Sequence, residues 1–444
     1  MVGKSPDQNQ TSFMAAGLLE QLNPKHPLHL LANQIPWDAF EEEFATLYSH
    51  TGQPGKPIRL MVGILILKQM DNLSDERVVE KWVENPYYQH FCGEREFQWK
   101  FPCDPSDLVH FRNRIGIKGM EWIFTISIAM HQEEALEKEI VVDTTVQEKN
   151  ITYPTDTKLH ARIIEKCVGI AQGAGVPLRR SYARTVKKLQ MAQRFRRSPK
   201  TQKKAIKAAR QLKTIAGRLV RELERKLNKD QQEKFAKKLG LFQRVLQQQR
   251  SDKNKVYSLH EPDVSCISKG KLHKKHEFGS KVSVAMTKTS GIIVGALSFK
   301  GNPYDGHTLP EVLDQVRRFR GELPKIAICD RGYRGRAKIG ETEILIPKPP
   351  KKDATAHEKQ KMRRRFRRRA AIEPIIGHLK SDHRMGRNFL KGVTGDEVNV
   401  LLAAAAFNFK KAMRALALFF VWIRMLVFGR VLPLVGSPMA QAGS

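Results

Sequence analysis

The sequence predicts a mixed α/β chain: an all-helical amino-terminal domain, then a mixed sheet interrupted by a helical insertion. Three observations predict this. Short β-branched runs begin only at Glu139 and recur as far as Ile346. Residues 38–135 read as helices. Residues from about 156 to 252 are dense in Lys, Arg and Gln and have no strand texture. The expected divisions are a tail over 1–37, a helical DNA-binding domain over 38–135, a sheet domain over 136–410 with the insertion at about 156–252, and a carboxy-terminal helix and tail over 411–444.

In the first domain, the stretch from Arg59 to Met70 is nearly all apolar, which fits a buried helix. Ser74-Asp75-Glu76 opens the next helix in the manner of a cap. Arg112, Arg114 and Lys118 near its end face phosphate if the module is a helix-turn-helix DNA binder, or solvent if it is an ordinary helical domain. In the insertion, Leu212, Ile215, Leu219, Leu223 and Leu227 recur at helical spacing, as do Phe235, Leu239, Phe242 and Leu246 beyond a break at Asn228-Lys229-Asp230. This predicts a helical hairpin whose basic outer face is either a track for DNA backbone or simply solvated.

Strand runs at Ile140-Val141-Val142-Asp143, Glu277 to Met286 and Gly291 to Phe299 come first, the last two reading as a hairpin. A helix near His307 to Phe319, a strand ending at Asp330 and a strand at Glu343 to Ile346 follow. The basic helix around Glu373 closes the series. This is the order expected of a ribonuclease H-like sheet.

The chain has 78 Lys+Arg against 45 Asp+Glu, a formal charge of +33, which selects polyanions as partners. Its length allows two or three domains, each with a core. Five irregularly spaced cysteines argue against a disulfide framework and for a reducing, cytoplasmic compartment. The amino-terminal residues carry no readable secretory signal. Arg424 and Arg430 break the apolar stretch Ala415 to Val435 into runs too short to span a bilayer, so it reads as a buried helix and no membrane is implied. His90, Cys92, Cys103 and His110 lack the Cys-x-x-Cys pairing of a zinc site. No Gly-rich phosphate loop is present, so no nucleotide cofactor is expected.

Two acids, Asp143 and Asp330, end strand-type runs, and Glu373 stands on a strongly basic helix. Three separated carboxylates on a basic chain suit two Mg²⁺ ions acting on a nucleic-acid phosphodiester, because hard cations take oxygen ligands. Glu148 is a possible accessory acid. Asp305 competes for the second position but lies in a Pro/Gly turn before a helix, where a structural role is favoured.

Asp143-Thr144-Thr145, Asp330-Arg331-Gly332-Tyr333-Arg334-Gly335 and the segment Ile372 to Lys380 resemble the three catalytic segments of DDE transposases from bacterial insertion sequences, in particular the insertion sequence five group. Gly301 to Leu309 and Met385 to Gly392 are also similar to stretches common there, so the resemblance covers roughly residues 54–409. In related transposases the third acid lies in a signature of Tyr, Arg, Glu and Lys. Here Arg369, Glu373 and Lys380 keep the spacing and Phe366 stands where the tyrosine is expected. On a continuous helix those three would share a face, and Arg369 and Lys380 could grip DNA phosphates beside the acid, although Pro374 threatens the continuity.

The resemblance implies a ribonuclease H-like catalytic domain, with Asp143, Asp330 and Glu373 as catalytic metal ligands for two Mg²⁺ and Mn²⁺ as a substitute. It implies double-stranded DNA partners, both element ends and target, and a homodimer or higher synaptic complex, nucleoid-associated when bound. Two rivals share parts of the pattern: a nuclease that only hydrolyses, and a basic nucleic-acid binder without chemistry.

Overall fold

The computed structural model describes residues 17–49, 51–249, 251–268, 275–347 and 355–428. Before the first strand they form α1 (Leu18–Gln21), α2 (Pro27–Gln34), α3 (Trp37–Ala45), α4 (Ile58–Met70), α5 (Asp75–Glu84), α6 (Pro86–Phe91), α7 (Pro105–Ala129) and α8 (Gln132–Ala135). Helices thus start well before residue 38. α2 is opened by Pro27 at its first turn and by His26, whose ring accepts the Leu28 N–H, and it buries Leu28 and Leu31. The reading of 17–37 as a tail is corrected accordingly; residues 1–16 lie outside the described residues. α4 is buried at every position, as its composition requires, and Ser74 caps α5 by accepting the Arg77 N–H.

β1 (Glu139–Lys149) is followed by α9 (Asp156–Gly173), α10 (Ala183–Met191), α11 (Pro199–Lys226) and α12 (Lys229–Gln247). The insertion is therefore four helices rather than a hairpin. α11 and α12 are the two expected from their apolar series, and Asn228 caps the second. α9 adds Leu159, Ile163, Cys167 and Ile170 to a core separate from that of the sheet. The stem of the insertion is pinned where Tyr153 and Tyr257, one from each end, both pack on Phe278.

The remainder comprises β2 (Ser265–Ile267), β3 (Glu277–Thr287), β4 (Ile293–Phe299), α13 (Asp305–Arg320), β5 (Ile326–Ile328), a 3₁₀ turn at Arg331–Tyr333, β6 (Lys338–Ile339), β7 (Thr342–Leu345), α14 (Ala356–Arg369), α15 (Ile372–Ser381), β8 (Arg387–Asn388) and α16 (Gly392–Phe428). The sheet is mixed. β3 is the antiparallel centre, with β1 on one side and β2 and β4 on the other; β5 runs parallel to β1, β7 parallel to β5, and β6 closes the edge. Gly279 is required where β3 crosses β1, because a Cβ there would lie 1.8 Å from the Gln147 carbonyl oxygen.

Helices cover both faces. α13 packs on the face of Ile140, Val142 and Ala285, and one large core joins these residues to α16 and the amino-terminal helices, with Val312 and Leu402 in it. On the other face a small cluster of Val141, Met286, Ile328 and Ile372 carries α14 and α15. α16 is buried from Val398 to Ala406 and again at Asn408, Phe409 and Ala412, but Arg414, Ala415 and Leu418 are exposed. The described start of the stretch Ala415 to Val435 is thus not the buried helix expected; residues 429–444, including Arg430, lie outside the described residues. Among the described residues no helix is long and apolar enough to cross a membrane.

Candidate active site

The three acids project from segments that meet in the small cluster under α14 and α15. In a strand, residues two apart share a face. Val141 packs in the cluster and Asp143 follows it by two; Ile328 packs there and Asp330 follows by two; Ile372 packs there and Glu373 is next. Asp143 is not at a strand end: β1 continues to Lys149 and pairs with β3 throughout. Its other edge is paired with β5 only at Glu139–Val141, and with β8 only at Glu148–Lys149. Asp143 lies in the opening between them. The β1–β5 pairing ends with Val141 opposite Ile328, two residues before Asp143 in one segment and Asp330 in the other.

Local backbone fixes each aspartate. The Thr144 N–H donates to Asp143 Oδ1 at 2.7 Å, and the Gly332 N–H donates to Asp330 Oδ1 at 2.8 Å, capping the 3₁₀ turn. Helix α14 ends at Arg369, yet Ala370 and Ala371 keep helical dihedrals, so the chain passes into α15 with little change of course. Pro374 sits in the first turn of α15, where its missing N–H costs no hydrogen bond. Arg369 therefore does reach Glu373, at 3.5 Å, and its other terminal nitrogen lies 3.9 Å from Asp143. Lys380 is half-buried two turns further along α15. The Phe366 ring packs against the small apolar cluster, which gives that position a role in seating α14 on the sheet.

The aspartates bear on two buried neutral groups beside them. Burial raises the Cys329 thiol pKa far above its usual value, and the charges of Asp330 and Asp143 add to this while Arg369 opposes it. The Tyr333 phenol is raised by burial, with Asp143 and Asp305 adding to the shift. Oxygen donors of this kind suit a hard divalent cation, and Arg369 already places positive charge against Asp143 and Glu373. As placed, however, no three His, Cys, Asp or Glu side chains among the described residues are close enough together to hold a metal ion. That statement also covers His90, Cys92, Cys103 and His110.

Of the cations singled out for DNA, Arg112 is buried and bound at both terminal nitrogens to Asp75, at 2.8 and 2.7 Å. It is corrected to a structural residue. Arg114 and Lys118 are exposed, Arg114 with its guanidinium over the Tyr48 ring. Asp305, set aside on sequence, lies at the start of α13 and accepts from the Thr144 hydroxyl at 2.9 Å and the Lys281 ammonium at 2.8 Å. Lys281 was readable: a lysine inside an apolar strand needs a buried acid.

Residues 17–114 match a transposase domain family, and residues 243–409 match the transposase DDE domain. The chain belongs to the DDE transposases. The DDE match spans Asp305, Asp330 and Glu373, whereas Asp143 precedes the insertion and lies outside both matched spans. A DDE domain implies a ribonuclease H-like fold, and the strand order of this transposase accords with one. An uncharacterized protein of Rhizobium meliloti, ORF8 in the nfe locus, is 43% identical over 173 residues, 38% of this chain and 83% of that protein. No solved structure matches the transposase.

Proposed function

We propose that this transposase cuts double-stranded DNA at the ends of an insertion sequence and joins the freed ends to target DNA. Membership of the family supports DNA transposition; the chemistry rests on the site. The single observation that supports it is that Val141, Ile328 and Ile372, each within two residues of Asp143, Asp330 or Glu373, pack in one cluster, which brings three segments distant in sequence to one part of the sheet.

Asp143, Asp330 and Glu373 are the residues that would hold two Mg²⁺, or Mn²⁺ in their place, once drawn together around the ions. Two ions held there would supply charge neutralisation at the phosphate and ease deprotonation of an attacking water. The carboxylates set the position of that charge. Arg369 and Lys380, with Arg114 and Lys118 further away, bind phosphates and hold the strand in line. In cleavage the water oxygen bonds to phosphorus and the bond to the 3′-oxygen breaks, leaving a 3′-hydroxyl. In joining, that hydroxyl attacks a target phosphate and loses its proton as a target oxygen departs and gains one, so phosphodiester bonds are conserved and no nucleotide is consumed. Two ends require two catalytic units, so a homodimer or larger complex is the working form, in the cytoplasm and on the nucleoid.

The test is a DNA-joining assay with element ends, target DNA and Mg²⁺. Asp330→Asn is expected to abolish both cleaved and joined products while leaving DNA binding intact. Joined product from that variant would refute its metal role, and wild-type protein that cleaves without ever joining would make this a hydrolytic nuclease.

A further inference from the structure

We propose that Asp305 is a positioning residue of the active site, acting through Thr144 and Lys281 to hold the two aspartate-bearing segments in place without touching the reacting phosphate. The inference rests on Asp143 and Asp330 being metal ligands.

The faces of β1 separate the roles. Val141 lies in the cluster under α14 and α15, and Asp143 shares that face; Ile140 and Val142 lie in the large core beside α13, and Thr144 shares that one. Asp305 therefore approaches β1 from behind, on the side away from Arg369. Thr144 joins the two sides: its N–H holds Asp143 Oδ1 at 2.7 Å, and its hydroxyl donates to Asp305 Oδ1 at 2.9 Å. A shift of Asp305 is passed to the peptide group that orients Asp143.

The same carboxylate borders the second aspartate. A Cβ on Gly332 would lie 2.8 Å from Asp305 Oδ2 and 2.9 Å from Asp330 Oδ1, closer than real contacts allow. With glycine there, the Asp330 turn closes against Asp305 without displacing either carboxylate, while the Gly332 N–H holds Asp330. Two carboxylates brought so near repel unless a cation offsets them. Lys281 supplies it. The residue is 6% exposed on β3 beside β1, and its ammonium donates to Asp305 Oδ1 at 2.8 Å and the Pro303 carbonyl at 2.6 Å. Asp305, Lys281 and Thr144 thus tie α13, β3 and β1 together behind the acids.

Residues that orient metal ligands typically change metal affinity by about 10- to 100-fold when removed. Mn²⁺ binding to the full-length protein is measured by titration calorimetry for wild type, Asp143→Asn, Thr144→Val, Asp305→Asn and the Thr144→Val/Asp305→Asn double variant, with Tm recorded for each. Thr144→Val keeps the branched shape of the strand residue and removes only the hydroxyl. It carries the test even if Asp305→Asn, which leaves Lys281 without its acid, does not fold. The expected result is loss of binding in Asp143→Asn and a rise in Kd of about 10-fold or more in Thr144→Val and in Asp305→Asn. The double variant should bind no more weakly than Asp305→Asn alone, since Thr144 is the link through which a change at Asp305 reaches Asp143. Wild-type affinity in Thr144→Val, with binding lost in Asp143→Asn, overturns the inference and leaves the metal-ligand reading standing. Additive losses in the double variant overturn it equally. If wild type binds no Mn²⁺, or Asp143→Asn binds as wild type does, both fall together.

Discussion

Arg369 shows how much one side chain at this site is asked to do. Its guanidinium contacts Glu373 at 3.5 Å and Asp143 at 3.9 Å, both longer than a charge-assisted hydrogen bond, and it remains 22% exposed. Such a pair adds about 1 kcal/mol or less to stability. Arg369→Ala should therefore change the urea midpoint little, while weakening binding to element-end DNA and lowering the slope of log K against log salt by about one. Binding titrations at several salt concentrations check this; an unchanged slope with a marked loss of stability would make Arg369 structural. The same residue separates what was legible in the sequence from what was not. The segments that carry Asp143, Asp330 and Glu373 are legible because each acid sits beside apolar residues of a recognisable element. The bond from Thr144 to Asp305 spans 161 residues, and nothing local to either end marks it. Arg112 misled for a related reason: an exposed and a buried arginine look alike until the partner acid, 37 residues away, is placed.

At the level of elements, that arginine belongs to a buried ionic knot joining three helices. Asp75, in the first turn of α5, binds Arg112 of α7 through both oxygens and Lys68 of α4 at 2.7 Å. Burial alone would raise the Asp75 pKa, but hydrogen bonds and charge from Arg112 and Lys68 outweigh it and bring it down to about 2. Asp75→Asn would leave two buried cations without their acid, which costs about 3–5 kcal/mol. Denaturant unfolding at pH 7 checks it, and a loss under about 1 kcal/mol would show the knot to be solvated. The sign with pH follows from a depressed acid: the contribution is present above the ordinary value near 3.8 and is lost as pH falls through about 2. The variant should lack that part of the acid loss. Longer elements were legible wherever periodicity ran over several turns, as in α4, α11 and α12. α10 follows Tyr182, which takes a left-handed φ of 58°, and presents one buried residue, Val186, so it has no apolar series to read. β2, β6 and β8, at two or three residues each, are too short to show alternation and exist because neighbouring strands offer them an edge.

Over the whole molecule, charge and core are distributed unequally. Residues 156–252 hold 27 Lys and Arg against 7 Asp and Glu, a net +20 out of the chain's +33. This excess sits on a unit with its own core, apart from the one that seats the acids. Buried histidines are spread across these parts: His90 among the amino-terminal helices, His160 in the insertion, and His383 between α15 and α16, hydrogen-bonded to the Gln69 carbonyl. Burial lowers all three to about 4, further aided at His90 by His29 and Arg59. The unfolded chain, with histidine near 6.5, takes up protons that the folded chain refuses once pH drops below that value. Stability is therefore complete above about pH 6.5, and each histidine removes about 1.4 kcal/mol per pH unit between there and about 4. A domain stable by only about 5–15 kcal/mol cannot absorb several such losses. Urea midpoints should fall steadily from pH 7 to pH 5, before Asp75 begins to titrate, and His383→Gln should flatten the part of the curve that reports the sheet core. Equal midpoints at pH 7 and 5 would mean that these rings are protonated as readily in the folded protein as out of it, and that water reaches them.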